Sequence, residues 1–164
     1  MDNVYEIAFK KLNPSAKVPT NHDKGKIVDI YAAEDKFIVP GETVAVGTGL
    51  AFTFPDVLGL MFMPVSGLST NTSLRYANGP FVLQNNYYEK EEVKIRFQNT
   101  YGDGEKVEKV PEYKLIDGSV ISNPGKLYTK GTVKICKGDC ISRMMPVDAF
   151  YQDGAEIDDM NGLY

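Results

Sequence analysis

The chain contains no amphipathic pattern long enough for a helix of ordinary length. Its apolar residues come in short runs punctuated by 15 glycines and 9 prolines. A surface helix needs an apolar stripe recurring every three to four residues over several turns. A strand needs only a few residues alternating between two faces. The pattern therefore predicts an all-β sandwich or barrel. At 164 residues, one domain with a substantial core is expected.

Charge and cysteine usage narrow the partners. A net charge of −4 argues against a nucleic-acid polymer as the main ligand, which would call for a basic face. A single nucleotide needs only a few local donors and stays open. Two cysteines, Cys136 and Cys140, and one histidine, His22, are too few for a zinc site from one chain's sulfur and imidazole ligands. So short a Cys136–Cys140 loop is read as two reduced thiols filling the core. The first residues lack a basic region and an apolar signal core, and no run approaches the roughly 18 apolar residues of a membrane span. A cytoplasmic protein is expected, with no membrane partner.

Strands are predicted over residues 4–9, 26–33, 37–42, 43–52, 58–63 and 93–97, with a strand–turn–strand unit over 132–147. Residues 10–25, with Pro14 and Pro19, read as an irregular connection, and His22 as an exposed loop histidine. Residues 99–130 are rich in Gly and Pro with only short β-like runs. They predict a hairpin-rich surface excursion, a feature suited to binding a protein partner. The expected organisation is a single β domain over 1–150, a β-rich insertion at about 99–130, and an acidic tail over 151–164.

Residues 64–87, PVSGLSTNTSLRYANGPFVLQNNY, carry the densest chemistry. Ser66 and Gly67 let the main chain approach an anion closely. Phe81-Val82-Leu83 followed by Gln84, Asn85, Asn86 and Tyr87 suits a planar base, with amide edges for hydrogen bonds and a ring for stacking. The alternative is a short helix and a hairpin joining two core strands.

This stretch resembles the second and third motifs of the trimeric dUTPase family, in register and without a gap. The family's Pro-Arg-Ser-Gly-Leu falls on residues 64–68, its uracil-reading Asn on Asn78, and its Gly-Val-Ile-Asp-x-x-Tyr on residues 81–87. Asp29, Ala32, Pro40-Gly41 and Thr48-Gly49-Leu50 resemble the first motif. Gly138, Asp139 and Ile141 resemble the fourth, Gly-Asp-Arg-Ile-Ala-Gln. Some phage members of the family carry an insertion where residues 99–130 lie. The resemblance implies a jelly-roll-like fold, a homotrimer with sites between subunits, and a nucleotide ligand held by Ser66, Gly67, Asn78, Leu83, Gln84, Tyr87 and Arg143. It also implies that Asp29 serves the metal and phosphate end, with Mg²⁺ as cofactor if the protein is a pyrophosphatase.

Several working residues differ from the family's. Val65 stands in place of the phosphate-binding Arg, and Gln84 in place of the Asp that activates water. Cys140 replaces Arg, and Arg143 replaces the phosphate-contacting Gln. The acidic tail lacks the Arg/Gly/Phe motif that closes over the triphosphate. An amide can hold a water but cannot take its proton at neutral pH, and loss of a general base costs about 10²–10⁴-fold in rate. No residue is therefore assigned as catalytic. The expected function is a dUTPase-fold pseudoenzyme that binds or sequesters a nucleotide or a protein partner, such as a phage counter-defence or regulatory protein. The alternative is a divergent dUTP pyrophosphatase using Mg²⁺, with Asp29, Arg75 and Arg143 as contributors.

Overall fold

The computed structural model describes residues 6–22, 25–84, 91–102 and 107–149. Strands β1 (Ala8–Lys11) and β2 (Thr20–Asn21) flank the irregular connection. Next come β3 (Val28–Tyr31), β4 (Lys36–Ile38), β5 (Thr43–Gly47), β6 (Leu50–Thr53) and β7 (Leu58–Met63). One short helix among the described residues, α1 (Ser66–Asn71), separates β7 from β8 (Leu74–Tyr76) and β9 (Phe81–Gln84). After β10 (Lys94–Asn99) the insertion contributes β11 (Lys109–Val110), β12 (Glu112–Leu115), β13 (Val120–Ser122) and β14 (Tyr128–Thr129). The chain then forms β15 (Val133–Ile135) and β16 (Cys140–Asp148).

The sheet that carries the candidate site has the order β2-β3-β16-β7-β9. A three-stranded sheet, β5-β10-β8, and a four-stranded sheet, β13-β12-β15-β4, complete the larger layers. Alternation decides which side each strand buries. In β10, Ile95, Phe97 and Asn99 point inward while Lys94, Arg96 and Gln98 are exposed. Ile30, Leu60, Phe62, Ile95 and Phe97, each essentially inaccessible, belong to one core cluster fed by all three of these sheets. Each such side chain contributes about 1.5–3 kcal/mol on burial. The all-β expectation holds.

Two local expectations change. Residues 43–52 form two strands, not one, because the chain kinks at Thr48-Gly49. Gly49 has φ +67°, and a Cβ there would sit 2.7 Å from the Ala16 Cβ and 2.9 Å from the Asn13 Nδ2. The Thr48 hydroxyl completes the kink by donating to the Val93 carbonyl at 2.6 Å. The first strand begins at Ala8 among the described residues, and the predicted residues 4 and 5 lie outside them.

The segment at 99–130 is β-rich where it is described. Its strand β12 pairs in parallel with β15, so the insertion continues a body sheet. Phe37 on β4 meets Tyr113 and Tyr128 of the insertion at ring-centroid distances of 5.1 and 5.5 Å. At the root of the insertion, the wholly buried Asn99 donates to the Ile38 and Gly131 carbonyls at 2.8 and 2.9 Å. Its Oδ1 accepts from the Ser73 hydroxyl at 2.7 Å and the Tyr101 N–H at 3.0 Å. This one side chain ties β4, β8, β10 and the return from the insertion together.

Candidate functional site

Strand β16 lies between β3 and β7, and its register sets the site. Arg143 stands opposite Asp29 on one side and Met63 on the other. Alternation turns Arg143 and Asp29 to the face away from the core, where Arg143 Nε donates to Asp29 Oδ1 at 3.1 Å. His22, just beyond β2, brings its Nδ1 within 3.5 Å of the other carboxylate oxygen. On the same edge, the Lys17 ammonium lies 3.7 Å from the centroid of the Tyr31 ring, and the Tyr31 hydroxyl is hydrogen-bonded to Thr20.

Cys140 opens β16 beside this cluster. Burial, with the Asp29 charge as a second cause, pushes its thiol up to about 11. Cys136 is also raised, chiefly by burial. Both thiols are free, as expected, and neither has the electropositive setting of a reactive cysteine. The turn between them is closed by Asp139, whose Oδ2 accepts from the Cys136 N–H at 2.7 Å.

From Met63 the chain passes through Pro64 and Val65 into α1. Leu68 anchors this helix in the core, while Ser66 and Gly67 are exposed. A Cβ built on Gly67 would find only the Asn71 Nδ2, at 3.9 Å. Nothing in the described chain requires a glycine there, and a larger side chain would fit without a clash. The short helix of the alternative reading is present, but its hairpin is not: β8 pairs with β10 and β9 with β7, in different sheets, and the Ser66-Gly67 pair stays exposed.

The base-reading candidates divide. Asn78 Oδ1 accepts from the Arg96 N–H at 3.0 Å, and its Nδ2 reaches the Lys94 carbonyl at 3.5 Å. Asn78 thus extends the hydrogen bonding of β10, and its long second contact leaves donor capacity. Leu83 packs against the core, whereas Gln84 is exposed at the end of β9 opposite Gly59. Tyr87 lies outside the described residues.

Gln84 and Arg143 are not brought together within one chain. They are two strands and four residues apart on the sheet, which is roughly 16 Å at ordinary strand spacing. Tyr76 at the end of β8 hydrogen-bonds Ser142 at 2.9 Å, and Ser142 donates to the Met63 carbonyl at 3.0 Å. Burial raises the Tyr76 hydroxyl to about 12, so it remains protonated. Sequence reading missed this link and the His22–Asp29 contact, because β2 and β8 are too short to show a periodicity.

A divalent metal fits poorly at Asp29 as the side chains stand. One carboxylate oxygen is engaged by Arg143 and the other faces His22, whereas Mg²⁺ requires unencumbered oxygen ligands at about 2.1 Å. Among the described residues no three His, Cys, Asp or Glu side chains gather as a metal-ligand cluster.

The chain is 34% identical over 107 residues to the deoxyuridine 5'-triphosphate nucleotidohydrolase of Clostridioides difficile, covering 65% of this chain and 73% of that protein. The chain belongs to the dUTPase family. It is also 36% identical over 97 residues to the corresponding enzyme of Nocardia farcinica, spanning only 57% of that relative's length. No family model matches.

The solved structures of dUTPases show the fold. A variant of the Staphylococcus bacteriophage 80alpha dUTPase, in complex with dUpNHpp, superposes with a TM-score of 0.84 at 22% identity, over 97% of this chain and 92% of that one. A variant of the phage phi11 dUTPase of S. aureus, in which a structural Mg(II) ion is coordinated, gives 0.83 at 20% identity, over 95% and 99%. The chain therefore has the jelly-roll β fold of the dUTPases, with phage dUTPases among its structural neighbours. Among the described residues no helix is long and apolar enough to cross a membrane.

Proposed function

We propose that this protein is a nucleotide-binding member of the dUTPase family in which ordinary dUTP hydrolysis has been lost. The observation that carries this reading is Gln84. An exposed amide occupies the position where the family resemblance places the water-activating carboxylate, and an amide cannot accept the proton. The base or nucleoside end is assigned to Asn78, Leu83 and Tyr87, the water-activating position to Gln84, and the phosphate end to Ser66, Gly67 and Arg143. Residues 1–150 act as one β domain from which the insertion projects, working in the cytoplasm where nucleotides are found.

The site needs more than one copy of the chain. Gln84 and Arg143 are too far apart to act on the same phosphate within one subunit. The outer face of the β16-β7-β9 region carries Met61, Met63, Met145, Val82 and Val147, and Val82 is 48% exposed. Val82 and Val147 both pack over Gly59, which keeps this apolar surface flat. A homotrimer that covers it and joins base and phosphate ends from different subunits accounts for both features. Light scattering is expected to give three times the chain mass, and a monomer across a wide concentration range would contradict the composite site.

Gly67 allows binding to be tested without disturbing the fold. Gly67→Ala sits in open space within a helix, so the melting temperature should hold or rise slightly. Binding of the preferred nucleotide, identified by calorimetric titration of the uracil, cytosine, adenine and guanine series, should weaken by about tenfold. Unchanged affinity would place the ligand elsewhere.

A regulatory role through a protein partner at the insertion fits the same reading. The phage 80alpha dUTPase, at a TM-score of 0.82, is described as controlling transfer of virulence genes. The second reading, a divergent dUTP pyrophosphatase using Mg²⁺, draws on the 34% identity to a hydrolase. It would require a base other than Gln84.

A further inference from the structure

The Asp29–Arg143 pair bears on which phosphate ligand this site can take, and in what form. Asp29 is 19% exposed and Arg143 31% exposed, so the pair sits at the surface of the sheet with limited access to water. The carboxylate holds only the Nε side of the guanidinium. The two terminal nitrogens have no partner among the described residues and remain free as a two-pronged donor.

The placement is specific. Arg143 faces Met63 across the β16–β7 ladder, two residues before Val65, where the family resemblance has lost its phosphate-binding arginine. Arg143 thus places a cation near that position from the adjoining strand. Lys17, resting on Tyr31 two residues from Asp29, adds a second positive charge to this edge. With Asp29 balancing Arg143, Lys17 leaves this edge with a net positive charge, which suits an anion. A metal ion, by contrast, would have to displace Arg143 or His22 to reach Asp29 directly.

We propose that Arg143, clamped by Asp29, is the fixed cation of the phosphate end, so that this site binds a polyphosphate chain without a divalent metal. The proposal rests on the nucleotide-binding reading above and sharpens it. Asp29 is then a positioning residue that orients the guanidinium, not a metal ligand. The phosphate chain is recognised by two parallel N–H···O contacts from Arg143, in a geometry that a lysine cannot reproduce.

The test uses the full chain, with inorganic tripolyphosphate and dUTP titrated calorimetrically in excess EDTA and in excess Mg²⁺. Tripolyphosphate should bind in EDTA with an affinity within about threefold of that in Mg²⁺. Arg143→Ala should weaken it by about tenfold or more under both conditions. Arg143→Lys, which keeps the charge but loses the fork, should fall between. Asp29→Asn should weaken binding by a smaller factor with the melting temperature held, the mark of an orienting role. Failure of tripolyphosphate to bind in EDTA, a tenfold loss of affinity on removing Mg²⁺, or indifference to Arg143→Ala in a folded variant would each overturn the proposal. Arg143-dependent binding of tripolyphosphate without binding of dUTP would uphold the anion site and sink the nucleotide reading alone.

Discussion

Gln84→Asp is expected to raise dUTP turnover by about 10²-fold or more over the parent, the usual worth of a general base. The side chain at position 84 is exposed at the end of β9, so the substitution introduces a carboxylate without burying it. The melting temperature should therefore change little. Turnover should remain below that of a competent dUTPase, because Val65 and the acidic tail still offer the triphosphate less than the family's arginines do. Pyrophosphate release measured for both proteins at saturating dUTP checks this directly. No rise in the folded variant would mean that position 84 does not face the reacting phosphate.

The largest effect on stability is expected at Asn99. Replacing it with alanine removes four hydrogen bonds and leaves the Ile38 and Gly131 carbonyls without their amide donor in a wholly buried place. At about 1–3 kcal/mol for each buried group left unpaired, the cost is about 3 kcal/mol. For a chain of this size that lowers the melting temperature by about 10 °C. Gln98→Ala, on the exposed side of the same strand, is the control and should stay within about 0.5 kcal/mol of the parent. Equal effects at the two positions would show that Asn99 does not join the insertion to the body. Since Asn99 ties the insertion's return to β4, β8 and β10, its loss should also expose the 107–130 amides to faster hydrogen exchange.

Local pattern was enough to read the sheet class and most strands. Alternation in β10 and the apolar run of β7 state their own faces, and the Gly138-Asp139 turn marks where β15 and β16 separate. The split between β5 and β6 was not legible. The residues that make Gly49 necessary, Asn13 and Ala16, come from a distant loop whose approach no local pattern records. Asn99 likewise marked only the start of the 99–130 segment, because its partners Ile38, Ser73 and Gly131 are distant in sequence.

The site shows the same division. Ser66, Gly67, Asn78 and Gln84 could be named from motif order, because their spacing is local. Arg143 could be named, but its ion pair could not. Its partner Asp29 is 114 residues away in sequence, and only the β3–β16 register brings the two within 3.1 Å. Asn78's engagement with β10 was hidden for the same reason, since the Arg96 N–H it accepts from lies 18 residues on.

Binding without hydrolysis is tested most directly by mixing dUTP with a modest molar excess of protein and Mg²⁺, recovering the bound nucleotide after about one minute and identifying it by chromatography. A competent dUTPase would convert such a sample within seconds. An active site lacking its general base, slowed by about 10³-fold or more, should return intact dUTP from the protein-bound fraction. Recovery of dUMP and pyrophosphate within the first seconds would contradict the account and make the protein a working pyrophosphatase.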